Sequence, residues 1–132
     1  MSLQDVDDME AAVAEIARIL EPGGHLVLAT VHPVNSAGRF VGEHGDLTRP
    51  FVISGSWFTP RRYVDSVERD GLTMTFHSNH RALQDYTEAL AAAGFLIERV
   101  LEPTDHDPGQ SWHRIPLFLH IRAVRGPGPA GA

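Results

Sequence analysis

Eight histidines and no cysteine limit the chemistry that this sequence can offer. His77 and His80 stand three residues apart and His32 closes an apolar run, so the three could meet at one place. Zinc needs three or four ligands in fixed geometry, and Asp105 or Asp107 would have to complete such a set. No known ligand motif has this spacing, and no metal site is expected. Without cysteine there is no disulfide, thiolate nucleophile or cysteine-ligated metal. Proton transfer remains. Histidine ionises near neutral pH, and His32, His80 and Tyr63 are the candidate catalytic residues. Two of them also have plainer readings, His80 as the cap of a following helix and Tyr63 as packing on a hairpin. His32 ends a strand, the side of an open α/β sheet at which ligands bind. Trp57 and Phe58 either wall a pocket or fill the core of their own loop. His106 and His113 fall in exposed loop sequence, and His120, inside a strand, reads as a hydrogen-bonded sheet residue.

The elements that must hold these residues follow from periodicity and punctuation. Asp7 can cap a helix with Glu10 three residues on, and Met9, Val13, Ile16 and Leu20 recur on one face. Pro22-Gly23-Gly24 stops that helix. Leu26 to Val31 is a near-continuous apolar run, the pattern of a central parallel strand buried on both faces. Val34 to Pro60 reads as an irregular loop, longer than a plain connection needs and therefore a binding loop, a lid or a surface insertion, with a short strand possible from Phe51 to Phe58. Tyr63 to Glu68 and Leu72 to His77 form a hairpin about Asp70-Gly71, with Leu72, Met74 and Phe76 on one face. Ala82 to Ala93 is the second helix, with Asn79 or His80 at its cap and Gly94 at its stop. Phe95 to Leu101 and Ile115 to Val124 are the remaining core strands. A last strand joined by a loop rather than a helix implies antiparallel insertion.

The chain of 132 residues reads as one domain over residues 1–125, with 34–80 as an excursion and the Gly-Pro-rich 126–132 as a disordered tail. A net charge of -6 and scattered basic residues argue against nucleic acid and anionic membrane as partners. No apolar run reaches a membrane span and no signal-peptide pattern opens the chain, so a soluble cytoplasmic protein is expected.

Arg18, Leu20, Pro22, Gly23 and Gly24 stand in the order R-x-L-x-P-G-G, directly before the apolar strand. Further on come His80-Arg81-Ala82-Leu83, Tyr86, Leu90, Ala93-Gly94-Phe95, Glu102-Pro103 and the terminal IPLFLHIRAVR. This ordered set resembles the later part of class I S-adenosylmethionine-dependent methyltransferases of the small-molecule type, from Ser2 to about Arg125. The resemblance implies an α/β fold. It would be a partial Rossmann-like methyltransferase sheet of three core strands, the last antiparallel, with two helices and an inserted β-hairpin. It implies S-adenosylmethionine as cofactor, a small-molecule methyl acceptor as partner, and His32, His80 and Tyr63 in the acceptor pocket. The family's cofactor sits on a glycine-rich loop after its first strand, and this sequence has no such loop. The expectation is therefore a C-terminal half, inactive alone, with Ser2, Leu3 and Gln4 edging the cofactor site. The alternative is a non-catalytic module with a methyltransferase-like half-fold. Such a module would form a homodimer through the open side of its sheet. A partner chain could also supply the missing half.

Overall fold

The computed structural model describes residues 3–127. A short 3-10 turn at Leu3–Asp5 leads into helix α1, Met9–Ile19. The cap is Asp8 rather than Asp7, its Oδ1 accepting from Ala11 N at 3.0 Å. Asp7 is drawn off to Arg62, 2.9 Å away. The Pro22-Gly23-Gly24 turn docks on the far end of the sheet, where Gly23 N donates to Arg125 O and Arg125 N to Gly24 O, both at 2.8 Å. Strand β1, His25–Val31, follows and runs into helix α2, Pro33–Ala37.

The expected irregular loop is more ordered than its composition suggested. After α2, strands β2, Gly38–Phe40, and β3, Phe51–Ile53, pair antiparallel. A side chain at Gly38 would put its Cβ 2.1 Å from Val52 O, so only glycine permits this approach. Strands β4, Arg61–Arg69, and β5, Leu72–His80, form the hairpin, two to three residues longer at its base than its β-propensity marks. Asp70 and Gly71 both take positive φ, 54° and 77°, as a two-residue turn of the I′ kind requires. The Leu72, Met74 and Phe76 face is not packed. These side chains are 70%, 45% and 44% exposed, because the outer half of the hairpin extends past the body.

Helix α3, Leu83–Ala92, starts after Ala82, whose N–H donates to Asp85 Oδ2 at 3.1 Å. Neither Asn79 nor His80 caps it, since both belong to β5. Strands β6, Phe95–Leu101, and β7, Phe118–Arg125, complete a sheet ordered β1-β7-β6. β7 is antiparallel to both neighbours, so β1 and β6 run parallel with the last strand between them. It begins three residues later than its alternation implied. Leu117 N and Phe118 N both turn to Pro103 O, and Ile115 O accepts from Thr104 Oγ1.

Met9, Val13 and Ala17 of α1 and Tyr86, Ala89 and Leu90 of α3 bury one sheet face of Leu28, Phe95, Leu119, Ile121 and Ala123. Both helices lie on this face. The expectation that β1 is buried on both sides therefore fails, and Val27 is 71% exposed on the other. An apolar run records that a strand tolerates burial on both faces, and here nothing among the described residues covers the second. Of the expected disordered tail, Gly126 N is hydrogen-bonded to Gly94 O at 2.9 Å. Residues 128–132 lie outside the described residues. Among the described residues, no helix is long and apolar enough to cross a membrane.

Candidate functional site

The turn from β1 into α2 is made by His32, buried at the N-cap. Its Nδ1 accepts from Val34 N at 3.0 Å, so this nitrogen carries no proton. The proton is on Nε2, which donates to Glu102 Oε2 at 2.7 Å. Both ring nitrogens are thus occupied, and the pair fixes the start of α2.

One turn on, Ser36 Oγ lies 2.6 Å from His80 Nδ1. His80 is 1% exposed, at the end of β5, and its Nε2 is 2.9 Å from Trp57 O. A carbonyl can only accept, so Nε2 holds the proton and the Nδ1 lone pair faces the Ser36 hydroxyl. The Trp57 ring stands edge-on to the imidazole with centroids 5.7 Å apart. His80 is therefore a buried group that reaches solvent through a serine. Neither Trp57 nor Phe58 lines the cleft described next, and Phe58 is 63% exposed.

Ser36 opens onto a cleft of about 480 Å³. Alternation along β4 turns Arg61, Tyr63 and Asp65 toward it, while β2 contributes Arg39 and Phe40 and the loop before β3 contributes Arg49. The opposite wall is Trp112, in a 3-10 turn at Ser111–His113. Phe40, Phe51 and Trp112 meet edge to face with centroids 5.1 to 5.7 Å apart. Arg49 lies over the Phe40 ring at 5.1 Å and donates to Ser111 Oγ at 3.2 Å, tying this loop to the turn. Thr104 Oγ1 holds the turn from behind through Trp112 O and Ile115 O. Burial pushes the Tyr63 phenol above its ordinary pKa, with a hydrogen bond to Ser78 working the other way. At neutral pH Tyr63 is a neutral donor.

The N-terminal turn is bound to the hairpin base. Arg81, 8% exposed, donates to the carbonyls of Leu3, Val6 and Asp7, while Ser78 Oγ donates to Asp5 Oδ1 at 2.7 Å. This holds Leu3 against the core and sets the Gln4 side chain at the C-terminal end of β1, where Oε1 accepts from Thr30 Oγ1 and Val31 N. Ser2 lies outside the described residues. Among the named candidates, His80 and Tyr63 reach the cleft, His80 only through Ser36, while His32 stands behind α2. His77 and His80 lie on opposite faces of β5. Among the described residues, no group of three or more His, Cys, Asp or Glu side chains could hold a metal ion. Ser36, Arg39, Arg49, Arg61 and Trp112 were not singled out by the sequence. The one signal pointing to them was the length of the loop that carries most of them.

A region of a putative S-adenosylmethionine-dependent methyltransferase from Listeria monocytogenes superposes on this chain with a TM-score of 0.73 at 20% identity, covering 96% of this chain and 59% of that one. An S-adenosylmethionine-dependent methyltransferase from Mesorhizobium loti gives 0.72 at 26% identity, covering 95% and 58%. The fold is methyltransferase-like. A glycopeptide N-methyltransferase complexed with S-adenosylmethionine matches at 0.50 and 15% identity over 96% of this chain and half of its own, 50%. The chain thus spans less than two thirds of the length of these structures. No protein-family model matches it, and no curated protein does.

Proposed function

We propose that the chain is the acceptor-side portion of an S-adenosylmethionine-dependent methyltransferase acting on a small molecule. The observation that carries this reading is the Ser36–His80 pair at a cleft beyond the C-terminal end of β1, in a chain that superposes almost entirely on methyltransferases. Open α/β sheets use that end for ligands. The cleft itself does not fit the cofactor, because three guanidinium groups oppose a sulfonium cation. In this reading the cleft takes the acceptor, and the cofactor, when bound, supplies the methyl group from a neighbouring site that Leu3 and Gln4 border.

What the chain's own residues do follows from their hydrogen bonds. An acceptor O–H or N–H donates to Ser36 Oγ, whose own proton has two acceptors within reach, the His80 Nδ1 lone pair at 2.6 Å and Pro33 O at 3.2 Å. As the acceptor's proton passes to Ser36 Oγ, the serine proton moves to Nδ1, and Trp57 O keeps the Nε2 proton in place. Tyr63, whose hydroxyl is held by Ser78, lines the cleft and orients the acceptor by contact. His32 is a positioning residue, since capping α2 and meeting Glu102 leave it no free nitrogen.

A graft tests this. Residues 3–125 replace the matching region of the Mesorhizobium loti protein, and tritiated S-adenosylmethionine is offered with small phenols and amines. Label in a small product, reduced at least tenfold by Ser36→Ala, is the expected result. A folded graft that binds S-adenosylhomocysteine but labels nothing counts against the proposal, as would micromolar binding of that ligand by the isolated chain.

The bare sheet face favours a second reading. Val27, Leu96 and Phe118 are 71%, 61% and 45% exposed there, enough for a self-associating module that buries this face against a second copy. A stable dimer by light scattering, dissociated by Val27→Asp, supports it. A monomer sinks it.

A further inference from the structure

We infer that the cleft selects an acceptor bearing a carboxylate on an aromatic ring. This rests on reading the cleft as the acceptor site and adds the substrate class. The chain carries a net charge of -6, yet Arg39, Arg49 and Arg61 line this cleft against a single carboxylate, Asp65. The local excess of positive charge therefore runs against the trend of the molecule. These groups have donors to spare. Arg39 has no hydrogen-bond or ion-pair partner among the described residues, Arg49 uses Nε on Ser111, and Arg61 uses Nη2 on Ser36 O. Asp46, the other acid close to Arg49, is engaged by Thr48 through both its hydroxyl and its backbone N–H.

Geometry narrows the anion. Guanidinium presents a planar fork that matches a carboxylate with two parallel hydrogen bonds. The remaining wall is aromatic, with Phe40 and Trp112 packed edge to face at 5.1 Å and Tyr63 across the cleft from them. A volume of about 480 Å³ holds a one- or two-ring molecule. Inorganic phosphate would satisfy the arginines and leave the aromatic wall unused. A neutral ring would use the wall and leave Arg39 unpaired. An aromatic carboxylate uses both, and it places a ring substituent within reach of Ser36.

The experiment reads binding, so it stands or falls apart from methyl transfer. The full chain, ¹⁵N-labelled, is titrated separately with benzoate, benzamide and inorganic phosphate while the Trp112 indole and Gly38 amide resonances are followed. Benzoate is expected to shift both saturably and to bind about tenfold tighter than either comparison ligand, a difference of about 1.4 kcal/mol. Arg39→Ala, at an exposed position, should abolish that preference while leaving the spectrum folded. Equal affinity for benzoate and benzamide overturns the carboxylate, and equal affinity for phosphate overturns the ring. An unchanged preference in Arg39→Ala, confirmed in Arg49→Ala, overturns the arginine cleft.

Discussion

Arg81→Met isolates what holds the N-terminal turn on the sheet. Arg81 is 8% exposed and places three hydrogen bonds on the carbonyls of Leu3, Val6 and Asp7. Hydrogen bonds from a charged donor contribute about 1.5–3 kcal/mol each when buried. Asp7 is exposed and Leu3 and Val6 are only half-buried, so water replaces much of what the carbonyls lose. Removing a buried charge also returns its desolvation cost. Methionine keeps the length and apolar bulk of the stem, which limits any cavity. The net loss should be about 2–3 kcal/mol, lowering the melting temperature by roughly 10 °C in a chain of this size. Urea unfolding gives the magnitude, and hydrogen exchange gives the place. Because Gln4 Oε1 accepts from Val31 N, the Val31 amide should lose protection well before Leu28 in the sheet core. A variant within 0.5 kcal/mol of the parent, or one that loses Val31 and Leu28 protection together, would refute this account of the clamp.

Two further perturbations follow from single contacts. Gly38→Ala sets a Cβ against Val52 O and Val52 C, at 2.1 and 2.8 Å, and must part β2 from β3, costing about 1–3 kcal/mol. Trp112 fluorescence should report a loosened cluster, and an unchanged spectrum with unchanged stability contradicts the contact. Burial is the largest cause raising both Tyr63 and Tyr86, and the chain has no lysine to titrate in the same range. The folded state therefore holds these protons more tightly than the unfolded chain, whose phenols ionise near pH ~10. The stability they contribute is fully present below that pH and is lost as pH rises through the folded values. Tyr63→Phe should flatten the alkaline fall in melting temperature, and a fall of undiminished slope would rule Tyr63 out as a source.

How much could be read from the sequence depended on how local each determinant was. The Asp70-Gly71 turn and the Pro22-Gly23-Gly24 stop are decided by neighbouring residues, and both stand where their chemistry puts them. The cap expected at Asp7 falls instead to Asp8, and Asp7 pairs with Arg62, a partner distant in sequence. β1 misled in a different way: Leu28 is buried and Val27 exposed in one uninterrupted apolar run. Composition cannot say whether a second layer is present. The cleft was least legible. Arg39, Arg49, Arg61 and Trp112 come from separate stretches with no shared motif, and only the packing of the Phe40, Phe51 and Trp112 rings brings them together. His80 and Tyr63 were named by residue type, but the serine through which His80 reaches the cleft was not, because a lone serine carries no signal.

The polar groups around the end of β1 argue that this region is kept for more than stability. Gln4, His32, Ser36, Ser78, His80 and Arg81 form a continuous polar layer beside the apolar core, and His80 is as buried as Ile121. Among the described residues no buried side-chain nitrogen or oxygen lacks a partner. A fully satisfied layer of this kind costs little, yet apolar side chains of similar volume would serve stability as well or better. Such a layer does supply fixed orientation. Gln4 holds the end of the strand, His32 holds the start of α2, and α2 presents Ser36 to His80 at 2.6 Å beside the arginine-lined cleft. The position of one hydroxyl is thus set by groups far apart in the sequence, from Gln4 to Glu102. Such fixed orientation is what the proposed acceptor site asks of the Ser36 hydroxyl.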